Sequence, residues 1–174
     1  DNQTALGNNC FAFNEWFPGG FTPRFGGTIT DGSIAIGVKR ELPQGWAMDA
    51  SATVGYSDIE YRISQTVNPS LGPLSPTTFS PGGVSQVERT FNLDFTKLIQ
   101  TVFEDPVSIA VGAEWRKETY FQKAGDEASY IAGPYALEPP LGLTQGFSIG
   151  SNGFTGYQPQ SAGHWSRNNW ALYA

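Results

Sequence analysis

The chain has 174 residues, enough for one domain with a sizeable core. Its net charge of −6, with no basic run, argues against binding along a nucleic-acid backbone. Glycine (21) and proline (12) are plentiful, while charged residues fall to 15% against about 25% in an ordinary globular domain. With 39% apolar residues the chain is poor in both grease and charge, which suits a sheet with one polar side and long loops better than a helical enzyme.

Residues 1–25 read as a loop segment. They begin with the polar "DNQTALGNN", which lacks the basic start and apolar run of a signal peptide. Asn2-Gln3-Thr4 fits the short glycosylation pattern, a weak signal. Cys10 is the only cysteine, so it is either a lone loop thiol or half of a loop disulfide with a partner outside these residues.

Strand patterning begins with "SIAIGVKREL", where Ile34, Ile36 and Val38 alternate with Ala35, Gly37 and Lys39. Pro43-Gln44-Gly45 then makes a tight turn. In "WAMDASATVGYS", Trp46, Met48, Ala50, Ala52, Val54 and Tyr56 share one face, because successive side chains of a strand point to opposite sides. The alternation resumes on odd numbers at Ile59, Tyr61 and Ile63. That slip predicts one extra residue near Ser57 and Asp58, a bulge at the rim of a sheet.

A long proline- and glycine-rich link, 64–87, precedes "TFNLDFTK", in which Phe91, Leu93 and Phe95 alternate with polar residues. The short "QTVFEDP" leads to "VSIAVGAEWRKETYF", with Val107, Ile109, Val111, Ala113 and Trp115 on one side. The longest link, 124–166, precedes "RNNWALYA", which closes the chain in mid-strand and is read as the mark of a fragment or processed product. The prediction is an all-β chain: an antiparallel up-and-down meander of about five strands near 28–42, 46–63, 88–99, 107–123 and 167–174, so that 26–174 form a partial barrel.

Plain alternation fits both a soluble sandwich, whose apolar faces pack together, and a membrane barrel, whose apolar face meets lipid. Three features favour the barrel. Two stretches exceed the about 5–6 residues of soluble strands and suit the about 9–11 needed to cross a bilayer. Charges of apolar parity (Arg40, Lys97 and Lys117) fall at the ends of stretches. Aromatics also sit at the ends, Trp46 grouped with Trp170 and Tyr56 with Trp115, as interfacial girdles do. The opposite parity carries Asp49, Asp94, Glu114, Arg116 and Glu118, which a hydrated lumen tolerates and a packed core does not.

Four pieces in order, "FPGGFTPRFGGTITDGS" (17–33), "TVNPSLGPLSPTTFSPGG" (66–83) with "ERTFNLDF", "AVGAEWRKETYFQKAGDEASYIAGP" (110–134) and "GFTGYQPQSAGHWSRNNWALYA" (153–174), resemble the TonB-dependent outer-membrane receptors. The resemblance implies a bacterial outer-membrane location and a plugged barrel of about 22 strands that takes up a scarce nutrient. It also implies residues 1–25 as an extracellular loop. The implied partners are membrane lipid and lipopolysaccharide, the remainder of the barrel and plug, a TonB-type energising protein of the inner membrane, and the small-molecule nutrient, which siderophore, oligosaccharide, cobalamin and peptide all fit. No plug, no segment for the energising protein and no later strands are visible.

No catalytic group, cofactor site or metal site is expected. His164 has no second ligand at metal spacing and reads as a loop residue. Glu114 and Glu118 flank Arg116 on one strand face, a charge ladder rather than an acid–base pair. The candidate ligand-binding residues are Trp16, Phe17, Arg24, Glu114, Arg116, Tyr130, Tyr135 and Trp165. Together with Phe21, Phe154 and Tyr157, the loop aromatics either stack on a flat or sugar-like ligand or pack loop on loop. The rival reading is a soluble β-rich binding module or a subunit of a surface filament, whose open strand edges favour self-pairing. The direction in which Ile36, Ala52, Leu93 and Val111 point discriminates between the two.

Overall fold

The structure, a computed structural model, describes residues 13–137 and 145–174; Asn2 and Cys10 lie outside them. Six strands form among the described residues, the five alternating stretches giving the long ones: β1 (Arg24–Leu42), β2 (Trp46–Ser64), β3 (Thr78–Phe79), β4 (Gly83–Ile99), β5 (Val107–Lys123) and β6 (Gly163–Tyr173). They make one antiparallel up-and-down sheet in the order β1-β2-β4-β5-β6, with β3 paired to β2 off that path. The expected meander is therefore present. The strands start earlier than the patterning indicated, at Arg24, Gly83 and Gly163, and the short β3 lies inside the link read as a loop. Glycine and mixed polar residues at these starts hid them, because they carry no alternation.

The turns follow local chemistry. Pro43 sets the entry to the β1–β2 turn, and Gln44 (φ 64°) and Gly45 (φ 77°) take the left-handed angles that bring the strand back. The β4–β5 link ends at Pro106, which cannot donate to a ladder and so stands just outside β5.

The predicted bulge in β2 is absent. A Cβ on Gly37 of β1 would sit 3.2 Å from Ser51 of β2, and one on Gly27 would sit 3.5 Å from the Tyr61 backbone. Stepping back along β1 from 37 to 27 thus matches stepping forward along β2 from 51 to 61, with no residue inserted. The apolar residues instead change face. What changes is the cover over each side of the sheet.

The chain forms two compact units. One comprises 1–29, 59–84 and 122–163, and holds the buried hydrophobic core of the described residues: Ile63, Val67 and Phe79. Here loops cover the odd-numbered face of β2. Ile63 is fully buried opposite Phe79, and Tyr61 stacks among Phe25, Phe154 and Tyr157 at ring distances of 5.3, 5.7 and 6.3 Å. The even-numbered side is polar, with Glu60 paired to Lys123 at 3.3 Å.

Buried hydrogen bonds lock the loops of this unit. The amide nitrogen of Asn68 donates to the carbonyls of Ala128 and Ile131, both at 2.9 Å, and its oxygen accepts from the Ser70 hydroxyl at 2.6 Å. Ser70 Oγ in turn accepts the Gly133 N–H at 2.9 Å. A short helix, α1 (Pro134–Leu137), follows this junction.

The other unit comprises 30–58, 85–121 and 164–174, and contains mostly strand. Among the described residues no second layer covers its aliphatic side chains: Ile36 is 69% exposed and Leu172 84%, and Ile34, Val38, Phe91, Val111 and Trp170 are exposed with them.

Candidate functional site

Counting along paired strands fixes the two faces of the second unit. Lys39 meets Asp49 at 3.1 Å, Tyr173 of β6 donates to Asp94 of β4 over Gly112 of β5, and Arg167 of β6 pairs with Glu118 of β5. These contacts place the odd positions of β1, β2 and β6 and the even positions of β4 and β5 on one side. That side is polar, and the alternation of every strand puts the aliphatic set on the other.

The polar face is an ion-pair ladder. Arg116 Nη2 lies 3.0 Å from Glu114 Oε1, and its Nε stands 3.8 Å from Glu88, beyond hydrogen-bond reach. Glu118 accepts from both Arg167 and Asn169. Lys39, Arg116 and Arg167 each hold a carboxylate, while carboxylates outnumber cations along the face: Asp31, Asp49, Glu88, Asp94, Glu114 and Glu118. The face therefore carries net negative charge and, among the described residues, leaves no unpaired cation for an anionic ligand.

The apolar face has ordered ends. Lys97 Nζ lies 5.6 Å from the centre of the Trp46 ring at the turn end, a cation–π contact. Trp170 lies beside Trp115, with ring centroids 6.3 Å apart, and so belongs with Trp115 rather than with Trp46. The grouping of Trp170 with Trp46 is thereby corrected; the long β5–β6 link hid the register that decides it. Arg89, exposed on β4, adds a charge to this face that the sequence reading did not count.

The eight candidate residues do not form one cluster. Glu114 and Arg116 meet as an ion pair on the polar face. Trp165 lies on β6 rather than in a loop, against Tyr120 at 6.1 Å. His164 is also on β6, its ring 5.8 Å from Phe121 on the opposite side of the strand. Arg24 is the exposed first residue of β1 and has the parity of Ile34 and Ile36, not of Lys39.

Trp16 packs on Phe13 at 5.6 Å and Phe17 on Phe21 at 4.8 Å, contacts between near neighbours in the chain. Tyr130 is half-buried behind the turn Glu127–Ser129, and the Tyr135 carbonyl accepts from Phe147 N–H at 2.9 Å. Phe154 and Tyr157 pack on strand aromatics as part of the loop core. The residues the sequence reading missed are Gln86, Tyr120, Arg167 and Asn169. Parity pointed to Tyr120, Gln86 lay in the link read as a loop until β4 was seen to start at Gly83, and Arg167 and Asn169 needed the β5–β6 register.

Among the described residues no group of three or more histidine, cysteine, aspartate or glutamate side chains is placed to hold a metal ion. Among the described residues no helix is long and apolar enough to cross a membrane, which says nothing about strands. No family model, curated protein or solved structure matches the chain.

Proposed function

We propose that this chain is part of the barrel of a TonB-dependent outer-membrane receptor, its aliphatic face in lipid and its polar face toward a filled lumen. The observation that carries the reading is the exposure of Ile34, Ile36, Val38, Val111, Trp170 and Leu172 on one side of a single-layer sheet. A soluble monomer rarely leaves so continuous an apolar surface uncovered, whereas a bilayer covers it.

Geometry supports the same reading. Trp46 and Tyr56 bound the apolar run of β2; at about 3.4 Å per residue they stand roughly 34 Å apart along the strand. A tilt of about 40° reduces this to roughly 26 Å along a membrane normal, close to the about 25 Å apolar band of outer-membrane barrels. Short turns alternate with long loops, as in those barrels.

Among the described residues no strand pairs with the outer edges of β1 and β6, and each unpaired backbone group costs several kcal/mol in hydrocarbon, so under this reading further strands complete the wall. The open edges also suit the rival, a self-pairing surface filament, but that assembly leaves the aliphatic face in water. Under the receptor reading the chain does no catalysis. It contributes lumen wall and outer loops to nutrient uptake, with lipid, lipopolysaccharide, the rest of the barrel and plug, and the energising protein as partners.

A heat-modifiability gel of the full-length protein that carries this chain tests the proposal. Extraction only with detergent, and faster migration unboiled than boiled, is expected. A protein soluble without detergent, with the same mobility in both lanes, overturns it.

A further inference from the structure

The polar face carries one feature that a charge ladder alone does not need. Tyr120 and Trp165 are large aromatics placed on the hydrophilic side, 39% and 54% exposed, with rings tilted 32° to each other and centroids 6.1 Å apart. They line a pocket of about 250 Å³ with Gln86, Glu118, Ser166 and Arg167. That lies just under the about 300 Å³ at which a cavity takes a whole small ligand, so it suits one ring of a longer molecule.

A second, open pocket of about 630 Å³ is lined by Asp31, Ser33, Ser57, Gln86 and Glu88 with the glycine backbone between them. Gln86 belongs to both. Together they form a transverse track across β1, β2, β4, β5 and β6, from Asp31 through Ser57 and Gln86 to Tyr120 and Trp165. At about 4.8 Å per strand step the track runs roughly 19 Å.

We infer that this track binds a linear, neutral oligosaccharide, with one sugar ring held against Trp165 and Tyr120. The inference rests on the receptor reading and names the substrate class of its lumen wall. Three observations choose that chemistry.

The exposed aromatic faces accept the C–H face of a pyranose, while Gln86, Ser57, Glu118, Arg167 and Asn169 offer the mixture of donors and acceptors that ring hydroxyls require. The track is extended rather than globular. Finally, Arg116 and Arg167 are already held by Glu114 and Glu118, and the face is net negative, so anionic chelates and phosphate esters meet repulsion rather than a counter-charge.

The test uses the full-length protein in detergent, first shown to be heat-modifiable, so that failure of the receptor reading is seen separately. Binding is measured by tryptophan fluorescence and calorimetry against a panel of neutral hexasaccharides (α- and β-glucans, xylan, mannan, chitin and fructan oligomers), an acidic galacturonate oligomer and a ferric hydroxamate.

The expected result is that at least one neutral oligomer binds, and that Trp165→Ala and Tyr120→Ala each weaken it about tenfold or more. Trp165→Phe retains most of the affinity, Val102→Ala in the exposed β4–β5 turn leaves it unchanged, and all variants stay heat-modifiable. A heat-modifiable protein that binds no neutral oligomer overturns the inference. So does one that binds such an oligomer equally well without both rings, or whose ferric chelate or acidic oligomer binding depends on Trp165.

Discussion

Replacing Ile36 by arginine separates a lipid-facing sheet from a soluble one more sharply than solubility does. Ile36 lies opposite Ala52 by the β1–β2 register and falls near the middle of the band between Trp46 and Tyr56. On the isolated sheet it is 69% exposed, so in a soluble protein the change alters stability by no more than about 0.5 kcal/mol. Against lipid, a charge at that depth costs about 2–4 kcal/mol. The control is Thr53→Arg, one position along from Ala52 and on the polar face, where the new charge meets a hydrated wall rich in carboxylates.

Urea titration of the full-length protein folded into lipid vesicles reads the difference directly. Ile36→Arg should lower the unfolding free energy by about 2–4 kcal/mol. Thr53→Arg should stay within about 0.5 kcal/mol. Equal effects from the two substitutions would refute the assignment of faces, and a neutral Ile36→Arg would refute lipid contact.

Asn68→Ala removes a buried amide that serves the carbonyls of Ala128 and Ile131 and the Ser70 hydroxyl. Leaving those groups unpaired costs about 3 kcal/mol, read as faster proteolysis within 64–83 and 124–137 with the strands still protected; an unchanged digest refutes the lock. A Cβ at Gly133 would lie 2.2 Å from the Ser70 carbonyl oxygen, so Gly133→Ala should cost about 1–3 kcal/mol through displaced backbone, visible as increased hydrogen exchange at Leu71 and Gly133, and unchanged exchange there refutes the contact. Lys39→Ala breaks a 3.1 Å pair whose side chains are both well exposed, and should lower the unfolding free energy read by urea titration by less than about 1 kcal/mol; a larger loss would mean that the polar face is drier than the ladder implies.

Much of this fold was legible along single strands. Period-two alternation placed all five long strands, separated Lys39, Asp49, Asp94, Glu114, Arg116 and Glu118 from the aliphatic set, and put turns at Pro43–Gly45 and before Pro106. The reason is local: within one strand, parity alone assigns the face, and proline and glycine mark where the backbone leaves the ladder.

Relations between strands joined by long links were decided only in three dimensions, because parity carries no register across a flexible connection. That is why Trp170 came to rest beside Trp115, and why Tyr120, Trp165, Glu118 and Arg167 emerged as neighbours. The switch at Ile59, Tyr61 and Ile63 has a related cause. A change of apolar parity reports that the cover over a face has changed, and the same signal arises whether the strand gains a residue or a loop folds over its polar side. The packing of Phe154 and Tyr157 on Tyr61 and Phe25 chose the second.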